Sequence, residues 1–236
     1  MKVYHQTLLS PVVNILLFLA VFTLAVGENV KSIGEVSFPV FVSAGLIMMA
    51  AMQNAFANSS SSMVMGRVLG HFIDYIMPPL EAFELLLAFT LGALVRGIMV
   101  GIVAYIVISF FVEINFTYPW WSLFYLVFSC LFLAFLGVLC GIISETFDQM
   151  SAVTSYIITP LTFLSGTFYS TNALPEFWKG VAHYNPFFYM IDGFRYSLTG
   201  FNDGDLAFGA IYILIANIIL GTVLYIMLKK GYRIKS

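Results

Sequence analysis

From Val36 to Gly66 the chain carries no charged residue, and the same is true from Ile114 to Ser144 and from Leu206 to Leu228. A helix needs about 20 apolar residues to cross a bilayer, and each stretch is long enough. Only 9% of the 236 residues are charged, against about 25% in a soluble domain. Lipid, not water, must therefore solvate most of this chain. The net charge of -2 and the lack of a long basic cluster exclude nucleic acid as a partner. The dense basic group, Lys229, Lys230, Arg233 and Lys235, follows an apolar run and reads as a cytoplasmic anchor.

The sequence predicts a single all-α integral membrane domain over residues 1–236, with six spans. These are roughly residues 11–27, 38–57, 86–112, 119–143, 150–168 and 206–228. Ser10 and Pro11 read as N-cap and first turn of the first span, and Thr146 with Gln149 as a capping box before the fifth. Ala25-Val26-Gly27 resembles a signal-peptide cleavage site, but the preceding run is long and similar spans follow, so it reads as a retained span. Cys130 and Cys140 sit ten positions apart in one apolar run, about 15 Å along a helix, too far for a disulfide.

Orientation follows from the cationic residues. With the N-terminus inside, Lys2, Arg67, Arg96, Lys229, Lys230, Arg233 and Lys235 fall inside, and Lys31, Lys179 and Arg195 outside. Seven against three predicts both termini in the cytoplasm. Trp120, Trp121 and Trp178 then fall at the outer interface, where an aromatic belt accounts for them.

The inner loop 58–85 contains Met65, Val68, Leu69, Phe72, Ile73 and Ile76 at spacings of three and four, one apolar face of a helix that Pro78-Pro79 ends. Periodicity leaves two readings open: a helix lying in the lipid interface, or one docking a cytoplasmic partner. Gly97 with Gly101 and Gly137 with Gly141 form two GxxxG pairs, predicting close packing of spans three and four on each other. Arg96 is the charge within a span, expected to anchor at the cytoplasmic end or pair with Glu81 or Glu84. Asn14, Gln53, Asn54, Thr154, Thr159, Thr162 and Asn217 are polar groups within spans, suited to bonding between helices or to lining a pathway.

Residues 159–200 have no counterpart elsewhere in the chain. An apolar run breaks at Ser165-Gly166, two short amphipathic pieces follow, divided by Asn185-Pro186, and Asp192 and Arg195 stand one turn apart. Pairing and capping are the expected roles of these charges. No Walker A motif, no H-E-x-x-H, no G-x-S-x-G and no intramembrane carboxylate pair is present, so the chain is read as no enzyme.

Three places resemble the membrane permease of bacterial type 2 ABC exporters. The first is Pro160 to Tyr169, then Leu174-Pro175-Glu-Phe-Trp178, then Asn185-Pro186 through Asp192-Gly-Phe-Arg195. The second is Arg67 through Asp74 to Pro79, and the third Arg96-Gly97 to Gly101. The resemblance implies a bacterial inner-membrane, multi-pass homodimer exporting a drug, lipid-linked sugar or polysaccharide. Cofactors would be none on this chain, with ATP and Mg on separate ABC ATPase subunits. Those would dock on Arg67, Val68, Leu69, Phe72, Ile73, Asp74 and Ile76. Residues 169–200 would form a re-entrant outer hairpin, with Gly166, Pro175, Trp178, Asn185, Pro186, Asp192 and Arg195 as its gate. One departure stands out: about ten residues precede Pro11, where the family carries a basic amphipathic segment, so the start is truncated or that helix is absent. An ion-coupled secondary transporter and a non-transporting anchor or sensor are the alternatives. The first predicts transport by the isolated chain that responds to a proton gradient, the second substrate-independent recruitment of a partner.

Overall fold

The computed structural model describes residues 2–27, 30–69 and 81–231, with side chains from residue 9 onward. The first helix, α1 (Lys2–Ala25), runs through the expected cap, so Pro11 lies inside it rather than in its first turn. An internal proline frees one carbonyl, which spans tolerate when neighbouring groups satisfy it. Leu9, Val13, Leu17, Val21 and Leu24 form its exposed stripe, while Ile15 and Leu19 are buried.

A two-strand antiparallel ribbon, β1 (Ser32–Ile33) and β2 (Val36–Ser37), turns at Gly34, whose φ of 59° is left-handed. It leads into α2 (Phe38–Val68), which Pro39 helps to start. This helix continues well beyond the expected span of 38–57 and takes in the first part of the segment 58–85 expected as a loop. Burial shows why it is central: 78% of its most apolar window is buried, against 33% for α3 (Ala82–Ser109) and 22% for α9 (Leu206–Lys229). A reciprocal capping box of Glu81 and Glu84 starts α3. Its buried positions Leu86, Thr90, Ala93, Gly97, Val100, Gly101, Ala104 and Ile108 follow the helical period, and Leu87, Leu91, Val95 and Met99 face outward. Next comes α4 (Pro119–Ile143), which packs against α2, α3 and α9.

The fifth helix is broken. It runs as α5 (Phe147–Val153), a π turn (Thr154–Ile158) and α6 (Thr159–Phe163). Pro160 clashes with an α-helical carbonyl four residues back, and the wider π turn just before it absorbs the misfit. Thr146 accepts from the Gln149 amide as expected, but the Gln149 side chain accepts from the amide of Glu145 rather than that of Thr146. After a short 3₁₀ turn (Thr171–Ala173) come α7 (Glu176–Tyr184) and α8 (Pro186–Thr199), then α9. Asn185 caps α8, Gly200 closes it with a φ of 74°, and Asp205 caps α9. Among the described residues, four helices are long and apolar enough to cross a membrane: α2, α3, α4 and α9.

The α4 pair, Gly137 and Gly141, faces α2, whereas the α3 pair, Gly97 and Gly101, faces both α2 and α4, the close approach of spans three and four that the sequence suggested; a Cβ on Gly101 would meet Ala51 of α2 and Leu126 of α4, each at 3.2 Å. A Cβ on Gly97 would meet Ala51 and Ala55 of α2 within 2.9 Å, although Cys130 of α4 is also near, at 3.0 Å. A Cβ on Gly137 or Gly141 would strike Phe56, Ser59 or Met63. Both helices therefore seat on one small-residue strip of α2, at levels about two turns apart. GxxxG fixes that a close neighbour exists but not which helix it is.

Candidate functional site

At one end of the bundle, Arg195 of α8 is the largest fully buried side chain. Its Nη2 donates to the carbonyl of Gly166 at 2.6 Å, where a φ of 71° turns the chain after α6. Its guanidinium carbon lies 3.7 Å from the centroid of the Phe41 ring in α2, a cation–π contact. Its Nη1 stands 3.6 Å from Asp192 Oδ1, the i,i+3 pairing read from the sequence. The Asp192 carboxylate in turn accepts from the amides of Asp203 and Gly204, each at 2.9 Å. One buried guanidinium thus joins the start of α2, the end of the broken helix, α8 and the turn before α9. Burial pushes the Asp192 carboxyl up and the Arg195 guanidinium down from their usual values; their mutual attraction opposes both shifts.

Polar contacts extend outward from this hub. Asp203 accepts from Ser170 Oγ, the Thr171 amide and Asn172 Nδ2, and Asn172 Oδ1 accepts from Lys179 of α7 at 2.7 Å. Asn185, at the corner of the hairpin, donates to the Leu161 carbonyl at 2.8 Å and to Ser165 Oγ at 2.9 Å. Pro175 precedes α7, and Pro186 occupies the first turn of α8. Trp178 is 47% exposed and packs edge-on against Phe177, so it stands apart from the buried hub.

Sequence reasoning missed several members. Gly193 approaches Tyr125 so closely that a Cβ would meet the ring at 2.1 Å, and Gly45 lets α2 reach the backbone of Thr167. Phe41 and Asp203 were also missed. The Asp-Gly turn at 203–204 was the one available signal, since lone glycines in helices do not name their neighbours.

At the opposite end of α2, Arg67 donates to the carbonyls of Ser144 at 2.7 Å and Ile142 at 3.2 Å, capping the end of α4. Met65, Val68 and Leu69 are exposed there. The remaining positions of the expected docking face, Phe72, Ile73, Asp74 and Ile76, lie outside the described residues. Arg96 donates to Asn58 Oδ1 at 3.0 Å. It does not reach Glu81 or Glu84, since Glu84 is twelve residues away, about 18 Å along α3. It also sits near the middle of α3 rather than at its end.

The ABC-2 type transporter family model matches residues 2–199. The chain belongs to the ABC-2 type transporter family. It is 32% identical over its full length to the inner membrane transport permease YadH of Escherichia coli K12, covering 92% of that protein, and equally similar to YadH of Shigella flexneri. Nodulation protein J of Azorhizobium caulinodans is 25% identical over 80% of this chain and 75% of its own length. The chain is a multi-pass inner-membrane permease subunit of an ABC transporter, a transport component and not an enzyme.

Proposed function

We propose that this permease is the membrane half of an exporter driven by separate ABC ATPase subunits, which hold the ATP and Mg. Two copies form a homodimer around the pathway, each crossing six times with both termini in the cytoplasm. The substrate falls among drugs, lipid-linked sugars or polysaccharides.

The continuity of α2 supports this reading. Phe41, touching the Arg195 hub, and Arg67, beside the exposed Val68 and Leu69, lie on one unbroken helix. They are 26 residues apart, about 39 Å. A partner pressing on the Val68–Leu69 end therefore moves a rigid rod whose far end grips the outer hairpin, residues 169–200. In this reading Gly166, Asn185, Asp192 and Arg195 hold that hairpin as a gate, with Pro175, Pro186 and Trp178 shaping it.

Charge at the docking face tests the proposal. Leu69→Glu and Phe72→Glu are expected to leave membrane insertion unchanged while co-purification with the ATPase falls about thirtyfold, as for loss of an interface hot spot of about 2 kcal/mol. Retention of the ATPase at wild-type levels by both variants would remove this docking site.

A further inference from the structure

The large surface grooves of the bundle are apolar. One of 490 Å³ lies between α3, α4 and α9, and one of 380 Å³ lies between α4 and the broken helix. A smaller cleft of 150 Å³ between α1 and α2 is different, because Asn14, Gln53 and Asn54 line it together with Ser10. Asn14 is exposed, and Gln53 and Asn54 are half-buried. Asn54 donates to the Ala50 carbonyl at 3.0 Å. Asn14 and Gln53 have no hydrogen-bond partner among the described residues.

Their depth makes this costly in lipid. Asn14 lies eleven residues from Ala25, about 17 Å along α1, and Gln53 fifteen residues from Phe38, about 23 Å along α2. Both fall within a hydrocarbon layer about 30 Å thick. An unpaired amide-like group there costs about 2–7 kcal/mol. The cleft must then face water or a polar ligand. A polar track leads away from it along α2, through Asn58, which holds Arg96, to Ser61 and Ser62. The spacing keeps these residues on one side of the helix.

The chemistry of the lining selects a ligand class. Among the described residues no ionisable side chain lines the cleft, so a charged group would be desolvated there without a counter-charge. Carboxamides both donate and accept, which matches hydroxyl groups. We infer that Asn14, Gln53 and Asn54 form a water-filled site for an uncharged, hydroxyl-bearing part of the transported molecule, reached along Asn58, Ser61 and Ser62. This rests on the permease reading and deepens it.

Thiol labelling of the full chain in inside-out membrane vesicles tests the site. Asn14→Cys and Gln53→Cys are compared with Val13→Cys, which lies at the same depth on the lipid-facing stripe and is 50% exposed. The native Cys130 and Cys140 are buried and set the background. Apolar surroundings disfavour the reactive thiolate and exclude the charged reagent, so a sulfonated methanethiosulfonate should label positions 14 and 53 at least about tenfold faster than position 13. Maltotriose, an uncharged polyol, should slow that labelling, and pyrophosphate should not. Equal rates at all three positions overturn the site, as does labelling of 14 and 53 by a lipophilic maleimide alone. Protection by pyrophosphate, or none by maltotriose, overturns the ligand class. Labelling needs no ATPase, so these failures are distinct from retention of the ATPase by the docking-face variants, which bears on the permease reading itself.

Discussion

Arg195→Met is expected to destabilise the chain by about 3–5 kcal/mol, the cost of breaking a buried ion pair from one side. The substitution keeps the length of the side chain but leaves Asp192 without its cation and removes the guanidinium's contacts with Phe41 and the Gly166 carbonyl. The carboxylate still accepts two amides, so the loss falls on the contacts that tie α8 to α2 and to the broken helix. Asp192→Asn combined with Arg195→Met should recover part of the loss, because neither charge is then buried alone. Thermal unfolding of the detergent-solubilised chain, followed by tryptophan fluorescence, reads both variants. A midpoint for Arg195→Met within a degree of wild type would show that the pair does not hold the hairpin.

The second large effect is expected at Gly137. A Cβ there would lie 2.0 Å from Ser59 Oγ and 2.5 Å from the Phe56 carbonyl, and the carbonyl belongs to α2, on which α1, α3, α4 and α8 pack. Overpacking of a tight contact costs about 1–3 kcal/mol for small additions, and a branched side chain adds more. Gly137→Leu should therefore part α4 from α2 and cut the yield of monodisperse protein severely. Gly97→Leu and Gly101→Leu should act in the same direction more mildly, since their neighbours lie further away, at 2.9 Å and 3.2 Å. Gly180→Leu supplies the control, because a Cβ there meets nothing within 4 Å. Size-exclusion profiles should rank Gly137→Leu lowest and Gly180→Leu at wild type. Any profile in which Gly180→Leu loses as much as Gly137→Leu would refute the packing account.

The Arg195 hub sits where α2 begins, and Arg67 caps α4 where α2 ends, so one rod carries the fixings at both ends of the bundle. A transporter needs parts that move as rigid bodies, and a helix buried on nearly all sides is suited to transmit a push.

Hydropathy was enough to place the helices, because a lipid-solvated helix must be long, apolar and free of charge. It located α2, α3, α4 and α9 to within a turn at most ends. Turn chemistry located the corner at Asn185-Pro186 and the cap at Thr146, since those effects act within a few residues. The pairing of Asp192 with Arg195 was legible for the same reason, being one turn apart. Their burial was not, because it depends on Phe41 and Gly166, which are distant in sequence. The glycine pairs show the same limit: each announced a close contact, and only the tertiary structure revealed α2 as the shared partner. The run from Met65 to Ile76 was periodic in the sequence, yet only the structure joined its beginning to α2 as one helix. By itself, then, the sequence determined the solvent of the chain, the length of its helices and its local caps. The tertiary structure decided which helix is central and which charge is buried, because those follow from contacts between residues the chain order keeps far apart.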